Sequence, residues 1–154
     1  MRYEGRSIMN AVIIHGPNLN MLGFRDAAVY GTGSYEDLKS YISDYALSRG
    51  ISADFFQSNS EGAIIDRIQQ AYLDSADAII INAGAYSHYS YAIRDALEFC
   101  SCIKVEVHLS NVMEREDFRR KLVLSEVCDS TIYGRGFEGY KEAIDFILDK
   151  SHII

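Results

Sequence analysis

The segment HGPNLNMLGFRDAAVYG, residues 15–31, organises both the fold and the chemistry of this chain. It follows the apolar run AVII at residues 11–14, which is typical of a buried strand. The next helix signal begins only at Ser34, and a loop of this length in a compact domain is usually functional or disordered. Because glycines punctuate a segment that also holds asparagines, an arginine and a tyrosine, the composition is not a disordered one, and we expect a functional loop.

Two residues of this loop, Arg25 and Tyr30, give the clearest indication of catalytic chemistry. A free tyrosine phenol ionises near about pH 10, so it is a poor base at neutral pH. A guanidinium close to the phenol favours the phenolate, which makes the basic form available at lower pH. The loop therefore offers Tyr30 as a candidate base and Arg25 as the residue that activates it.

The bulk properties of the chain exclude several classes of protein. Its 154 residues indicate one domain with a sizeable core. The net charge of −7 argues against a nucleic-acid-binding protein, although local arginines can still bind an anionic substrate. No apolar run is long enough to span a membrane, and residues 1–10 lack the apolar core of a signal peptide, so we expect a cytoplasmic protein. Cys100, Cys102 and Cys128 match no zinc spacing, which predicts reduced, buried thiols.

Strand and helix patterns alternate through the chain. A capping box is expected at Ser34–Asp37, with Asp37 in place of the usual Glu, and Gly50 suits the C′ position of the helix that the box opens. The first predicted strand begins at Met9, and the other four cover 52–57, 77–81, 103–109 and 131–133. The predicted helices cover 35–49, a segment after the Ser58-Asn59-Ser60 cap, 90–99 and 137–150. Residues 111–120 are expected to form a loop and a short helix.

This alternation predicts a single α/β domain over residues 1–154, built as a flavodoxin-like three-layer sandwich around a five-stranded parallel sheet. Residues 1–8 are expected to form a loose tail. Because parallel strands are joined by right-handed crossovers, all strand-to-helix loops emerge at one edge of the sheet, where ligands bind in such folds.

Polar side chains follow each of the first four predicted strands, and their convergence on one edge is stronger evidence for a site than any of them alone. They are Asn18, Arg25 and Tyr30 after the first strand, Gln57 and Asn59 after the second, Asn82 and His88 after the third, and Glu106, His108, Ser110, Asn111, Arg115 and Arg119 from the fourth.

The histidines differ in how strongly they indicate function. His108 lies at the carboxyl end of an apolar strand, and the two-residue period of a strand places Glu106 on the same face. Since histidine titrates near neutral pH, we favour a functional role for His108. A structural role is expected for His15, whereas His88 alone fits a structural loop histidine as well as a functional one.

Arg115 and Arg119 allow two interpretations. Their spacing places them one turn apart on one face of a helix. One interpretation is a solvated helix face paired with Glu116 or Asp117, and the other is a clamp for a carboxylate, which suits the bidentate guanidinium.

Two further patterns are only weak evidence for a binding site. GRGFEG at residues 134–139 has the spacing of a dinucleotide fingerprint, but no later strand can carry the ribose-binding acid, so we interpret it as a tight turn with close helix packing. A zinc site from His88, Glu106 and His108 is conceivable, but its spacing matches no standard signature.

Five distinctive segments follow one another along the chain: HGPNLNMLGFRDAAVYG, FFQSNSEGAIIDRIQ, IIINAGAYSHYSYAIRDAL, VEVHLSNVMEREDFR and YGRGFEGYKEAI. Within them, GPNLN, QSN-x-EG, the NAGAYSH loop and EVHLSNV are highly specific when they occur together in this order. From about Met9 to Leu148 the chain resembles the type II 3-dehydroquinate dehydratases of the shikimate or quinate pathway.

The resemblance implies an anti elimination of water from 3-dehydroquinate, an anionic cyclic hydroxy-keto acid, to give 3-dehydroshikimate through an enolate, with no cofactor or metal. It implies that Tyr30 is the base and that Arg25, on a lid, keeps Tyr30 ionised. His108 matches the general acid, Glu106 the carboxylate that orients a neighbouring histidine, and Asn18 a residue holding the water that stabilises the enolate oxygen.

The resemblance also implies substrate contacts and an assembly. Asp95 matches a residue that reaches the site of a neighbouring subunit, and the family forms trimers that assemble into a dodecamer, so a homo-oligomer is implied. The other residues matched to substrate binding are Asn82, Gly84, His88, Leu109, Ser110, Arg115 and Arg119.

Several positions depart from the family pattern beside the matched residues. They concern subunit packing, lid stiffness and affinity more than the reaction, and they are Ser60, Tyr89, Met113, Ser125-Glu126 and the lid sequence Arg25-Asp26-Ala27.

Two other functions compete with the dehydratase. One is a catalytically silent flavodoxin-like binding or scaffold protein, against which the intact set of Arg25, Tyr30, Glu106 and His108 argues. The other is a metal-dependent lyase or hydrolase at the same edge of the sheet, whose activity a chelator would abolish.

Overall fold

A computed structural model of the chain describes the backbone of residues 2–3 and 6–153 and the side chains of residues 8–152. Residues 1, 4, 5 and 154 lie outside the described part. Two short strands, β1 (Arg2–Tyr3) and β2 (Arg6–Ser7), pair antiparallel. The loose tail expected over residues 1–8 falls partly on residues that the structure does not describe, so it stays a prediction.

The central sheet has five strands, and all of its neighbouring pairs are parallel. Its strands are β3 (Met9–His15), β4 (Ile51–Gln57), β5 (Ala78–Asn82), β6 (Ile103–His108) and β7 (Ser130–Tyr133). They lie in the order β4-β3-β5-β6-β7, which confirms the predicted flavodoxin-like α/β fold. The carboxyl ends of these strands share one edge of the sheet.

Helices cover both faces of the sheet. They are α1 (Ala27–Tyr30), α2 (Tyr35–Ser48), α3 (Glu61–Leu73), α4 (Tyr91–Phe99) and α5 (Glu138–Ile153). Because successive strand residues point to opposite faces, Ile13 and Ile80 pack with α2 and α5, whereas Ile14 and Ile81 pack with α3 and α4. These two apolar cores complete the three layers.

The helix boundaries follow the predicted capping signals. Ser34 Oγ accepts the Asp37 amide at 3.1 Å, and the Asp37 carboxylate accepts the Ser34 amide at 3.0 Å, so the capping box is confirmed. These hydrogen bonds hold the pKa of Asp37 below its usual range. Gly50 follows α2 with φ +77°, a conformation in which glycine is strongly favoured. Ser60 and Ser90 cap α3 and α4.

Two local expectations need correction. Residues 111–120 form two short 3₁₀ helices, Val112–Glu114 and Asp117–Arg120, so Arg115 and Arg119 do not lie one turn apart on a single helix. The loop after β3 also contains structure that its sequence did not indicate, a 3₁₀ turn at Leu19–Met21 and α1.

The cysteines differ in their burial. Cys100 is buried as predicted, whereas Cys102 and Cys128 are only partly buried. Burial raises the pKa of Cys102 to about 11 and that of Cys128 to about 12, so both thiols stay protonated and unreactive at neutral pH. Among the residues described, no helix has the length and apolar character needed to cross a membrane.

Candidate active site

A cavity of about 130 Å³ opens at the carboxyl edge of the sheet. It is lined by the loops that follow β3, β5 and β6, where the sequence predicted a site. Eleven of the thirteen predicted site residues line it: Asn18, Arg25, Tyr30, Asn82, Gly84, His88, His108, Leu109, Ser110, Arg115 and Arg119. Of the other two, Glu106 lies behind the cavity wall and Asp95 lies elsewhere.

The side chains of Arg25 and Tyr30 are in contact. Asp26 caps α1 by accepting the Ala28 amide at 3.0 Å, and this short helix carries Tyr30. Arg25 Nη2 donates to the Tyr30 hydroxyl at 2.6 Å, and Arg25 Cζ lies 3.7 Å from the centre of the ring. Arg115 Cζ lies 5.0 Å from the same ring centre. Two guanidinium groups therefore lie beside this phenol.

The candidate acid is held by a buried carboxylate. Glu106 is fully buried, and its Oε2 accepts a hydrogen bond from His108 Nε2 at 2.7 Å. Since that nitrogen is engaged, Nδ1 is the ring nitrogen of His108 left for a ligand in the cavity. The hydrogen bond to the carboxylate fixes the orientation of the His108 ring.

Two hydroxyl groups hold the other oxygen of this carboxylate, and the sequence assigned a site role to neither. Ser125 Oγ donates to Glu106 Oε1 at 2.7 Å, and Thr131 Oγ1 donates to the same oxygen at 3.3 Å. Thr131 pairs with Glu106 in the β6–β7 register, so its side chain points to the same face. The strand alternation could have indicated Thr131, whereas Ser125 follows a loop that no local pattern places.

His88 packs against the candidate acid. Its ring is stacked on that of His108 with centroids 6.2 Å apart, and its Nδ1 donates to the Lys121 carbonyl oxygen at 2.9 Å. Burial lowers the pKa of His88, although the hydrogen bond to Lys121 acts in the opposite direction. We expect a neutral ring whose Nε2 can accept a hydrogen bond from a hydroxyl group.

The Asn18 loop is braced from β4. The backbone N–H of Asn18 donates to Asn59 Oδ1 at 3.0 Å, and Gln57 Nε2 donates to the Gly16 carbonyl oxygen at 3.2 Å. Asn18 itself has φ +71°, an uncommon conformation that Asn tolerates better than most residues. Gln57 and Asn59 thus hold the cavity wall and are not among the residues that line it.

The loop after β5 requires a glycine. The Gly84 amide donates to Asn82 Oδ1 at 3.1 Å, which fixes the orientation of that side-chain amide. Gly84 has φ +59°, and a Cβ built on it would lie 3.0 Å from the Pro17 carbonyl oxygen. The two loops therefore approach each other closely at the floor of the cavity.

Leu109 and Ser110 follow β6 and are tied to the last loop. The Gly136 amide donates to the Leu109 carbonyl at 3.1 Å, and the Gly134 amide donates to the Ser110 carbonyl at 2.9 Å. The GRGFEG segment therefore forms a tight turn beneath the cavity, consistent with the interpretation given above. Arg115 Nη1 donates to Ser110 Oγ at 3.2 Å, which joins this loop to the lid side.

Arg119 agrees with both interpretations, the ion pair with a neighbouring carboxylate and the contact with an anionic ligand. Its Nε donates to the Glu116 carboxylate, and this contact holds the pKa of Glu116 below its usual range. The same side chain lines the cavity, so it can also face an anionic ligand.

Asp95 lies apart from the cavity. It is on α4, its side chain is 73% exposed, and it borders a largely apolar groove between α3 and α4. Any contact between Asp95 and a cavity of this kind requires a second copy of the chain. The groove is lined by Ile65, Gln69, Tyr72, Leu73, Ala92, Asp95, Ala96 and Phe99.

The described part of the chain contains no set of side chains suited to bind a metal ion. No three His, Cys, Asp or Glu side chains there are arranged to hold a metal ion. The zinc alternative from His88, Glu106 and His108 therefore lacks geometric support, because Glu106 is turned toward Ser125 and Thr131.

Comparison with known proteins places the chain in a family. Residues 9–148 match the family model described as dehydroquinase class II. The chain belongs to this family. A 3-dehydroquinate dehydratase of Lachnoclostridium phytofermentans is 54% identical over 140 residues, which are 91% of this chain and 97% of that protein.

Two further relatives agree. A 3-dehydroquinate dehydratase of Thermotoga maritima is 51% identical over 142 residues, covering 92% of this chain and 96% of that protein. The crystal structure of the type II dehydroquinase from Butyrivibrio crossotus superposes with a TM-score of 0.89 at 52% identity, covering 91% of this chain and 97% of that chain. The resemblance inferred from the sequence motifs is confirmed at the level of family and fold.

Proposed function

We propose that this chain is a 3-dehydroquinate dehydratase that eliminates water from 3-dehydroquinate to give 3-dehydroshikimate. The observation that carries the proposal is one cavity lined by both an arginine-bound tyrosine and a carboxylate-bound histidine, Arg25–Tyr30 and Glu106–His108. The relatives named 3-dehydroquinate dehydratase support it, since they match more than nine-tenths of the chain.

The proposed reaction needs one base and one acid. The Tyr30 phenolate removes a proton from the carbon beside the ketone, and the electron pair of that C–H bond forms an enolate. When the enolate collapses, the C=C bond forms and the C–O bond to the hydroxyl breaks. His108 gives its proton to the departing hydroxyl, which leaves as water, and the anti geometry requires base and acid on opposite faces of the ring.

The remaining cavity residues would hold the substrate and stabilise its charge. We assign Asn18 to a water on the enolate oxygen, because a fixed dipole at the developing charge is worth more in a cavity than in bulk water. The substrate carboxylate would lie near the backbone of Leu109 and Ser110 and the guanidinium of Arg119. Asn82, Gly84, His88 and Arg115 complete the proposed contacts. The scheme uses no metal and no organic cofactor.

We also propose a homo-oligomer, with a dodecamer of trimers as the expected form. The apolar groove between α3 and α4 exposes Leu73 and Phe99 by 72% and 67%, and a contiguous apolar patch of this kind is typical of a protein–protein interface. Asp95 borders this groove, so an interface here could bring it to the cavity of a neighbouring subunit. A cytoplasmic location and a role in the shikimate or quinate pathway follow from the proposed substrate.

The test is an ultraviolet absorbance assay for the conjugated enone product, with 3-dehydroquinate and purified protein, in the presence and absence of EDTA. A rise in absorbance that persists with EDTA is the expected result. A rise that EDTA abolishes would favour the metal-dependent lyase, and a flat trace from folded protein would favour the silent scaffold.

A further inference from the structure

Asn18, which lines the cavity, has a backbone conformation that few residues adopt. Its φ of +71° and ψ of −4° lie in the left-handed region. It stands at the N-cap position of the 3₁₀ turn Leu19–Met21, but its side chain makes no capping hydrogen bond, so that turn does not engage its amide. An uncommon backbone conformation persists where the surrounding structure fixes it, and such positions cluster at functional sites. The contacts that fix Asn18 therefore bear on the site.

Asn59, between β4 and α3, holds the backbone of Asn18. The Asn18 N–H donates to Asn59 Oδ1 at 3.0 Å, and Gln57 Nε2 donates to the same oxygen at 3.3 Å. Gln57 Nε2 also donates to the Gly16 carbonyl oxygen at 3.2 Å. A backbone N–H can only donate and a backbone carbonyl can only accept, so these backbone groups set the orientation of both side-chain amides.

The loop after β5 fixes Asn59 in turn. The Tyr86 hydroxyl donates to the Asn59 carbonyl oxygen at 2.8 Å. Tyr86 belongs to the 3₁₀ helix Gly84–His88, and both end residues of that helix line the cavity. Asn59 accepts hydrogen bonds from the loop after β3 and from the loop after β5, so a residue outside the cavity joins two of the loops that form its wall.

We propose that Asn59 is a positioning residue whose side-chain oxygen holds Asn18 in the conformation in which the Asn18 amide fixes the water on the enolate oxygen. This assignment rests on the proposed function, because the role of Asn18 belongs to the proposed reaction. Without an acceptor at residue 59, the left-handed conformation of Asn18 loses a hydrogen bond and can relax toward the more populated right-handed region. That rotation of the backbone would displace the Asn18 side chain from its place in the cavity wall.

The test is a comparison of Asn59→Leu with Asn59→Asp. Leucine has a similar shape and no acceptor, whereas a carboxylate keeps an oxygen for the Asn18 N–H. An interaction made only in the transition state lowers kcat and kcat/KM together. Because Asn18 and Asn59 are exposed and water can replace part of the lost bond, we expect kcat of Asn59→Leu to fall roughly three- to tenfold, with KM within about twofold of the wild type.

The conservative variant should rescue the reaction. A carboxylate accepts a stronger hydrogen bond than an amide oxygen, so kcat of Asn59→Asp is expected to lie within about twofold of the wild type. An unchanged kcat in Asn59→Leu would overturn the proposal. An equal loss in both variants would also overturn it, because the acceptor at residue 59 would then not be the group that matters.

Ser58→Ala is the matched control. Ser58 Oγ accepts the Ser60 N–H at 3.0 Å, so this variant removes a side-chain acceptor whose partner lies within the same segment. We expect its kcat and KM to equal those of the wild type. A loss of kcat as large as that of Asn59→Leu would overturn the proposal, since it would show a general effect of the segment.

A double-mutant cycle tests whether Asn59 acts through Asn18. In an Asn18→Ala background, Asn59→Leu is expected to cause no further change in kcat, because the amide that it positions is gone. The same fold-change in both backgrounds would contradict the assignment.

Hydrogen exchange gives a test that needs no substrate. In the peptide of residues 16–22, mass spectrometry is expected to show faster amide exchange in Asn59→Leu than in the wild type or in Asn59→Asp. Equal exchange in all three proteins would overturn the proposal. Failure of the wild type to convert 3-dehydroquinate would instead refute the proposed function, while the exchange result would still decide whether Asn59 holds the backbone of Asn18.

Discussion

Replacing Arg25 by alanine is expected to slow turnover and to leave the protein folded. Arg25 Nη2 donates to the Tyr30 hydroxyl at 2.6 Å, and a hydrogen bond to a charged group contributes about 1.5–3 kcal/mol. If this bond supports the transition state, its loss corresponds to about 10–150-fold in rate. We therefore expect kcat/KM near neutral pH to fall by this factor.

The assay is kcat/KM for 3-dehydroquinate across the pH range in which the protein stays folded. Arg25→Lys is the matched variant, because it keeps the charge and loses the planar fork, so its kcat/KM should fall less. Arg115, whose Cζ lies 5.0 Å from the Tyr30 ring centre, remains in both variants and limits the loss. An unchanged kcat/KM in folded Arg25→Ala would refute the view that Arg25 supports Tyr30 in the reaction.

Further predictions concern three other side chains: the candidate base, a support of the buried carboxylate, and the buried histidine. Tyr30→Phe should leave the protein folded, because it loses only the hydrogen bond from Arg25, and should remove nearly all turnover; substantial remaining turnover would point to another base. Ser125→Ala should lower the free energy of urea unfolding by about 1.5–3 kcal/mol and reduce kcat, because Glu106 loses a 2.7 Å donor; Ser125→Thr is the control, and an unchanged kcat would contradict a supporting role. For His15, the unfolded chain binds a proton below about pH 6.5 and the folded state does so only near pH 3, so stability should fall by up to about 5 kcal/mol as pH falls between these values. Urea unfolding of wild type and His15→Gln across that range measures it, and parallel pH dependences would contradict it.

The sheet and its helices were predictable because their signals are local. A run such as AVII at residues 11–14 is short, rich in β-branched residues and apolar on both faces, which is typical of a strand inside a sheet covered on both faces. The Ser34–Asp37 box and Gly50 set the two ends of α2 through contacts within a few residues. Each of these features depends on neighbours in sequence, so the bounds of the strands and helices agree with the predicted ones to within a few residues.

The short elements were not predictable for the opposite reason. A single turn such as α1 forms one or two hydrogen bonds and is marginal alone, so contacts outside it decide whether it forms. The same holds for residues 111–120, where the expected helix is divided into two 3₁₀ turns. The spacing of Arg115 and Arg119 therefore carried no reliable information about a shared face, even though both side chains reach the cavity.

The supports of the site were missed because they depend on neighbours in space. Glu106 and His108 are two residues apart, and their contact follows from strand geometry. Ser125 and Thr131 reach the same carboxylate from the preceding loop and from the neighbouring strand, and only the register of β6 and β7, which the structure provides, brings them to it. The family resemblance assigned roles to residues that line the cavity, whereas the groups behind them became visible only in the structure.

The two supporting networks hold the cavity from opposite layers. In β6, His108 and Glu106 point away from the α2–α5 core that contains Val105 and Val107. In β3 and β5, His15 and Asn82 point toward that core, where Tyr140 and Tyr35 contact His15. A ligand at the carboxyl edge would therefore meet the candidate acid from one layer and the Asn82 amide from the other. Because Glu106 and His15 are each fixed by partners of their own layer, the edge of the sheet can place two kinds of polar contact on one small substrate without exposing either core to water.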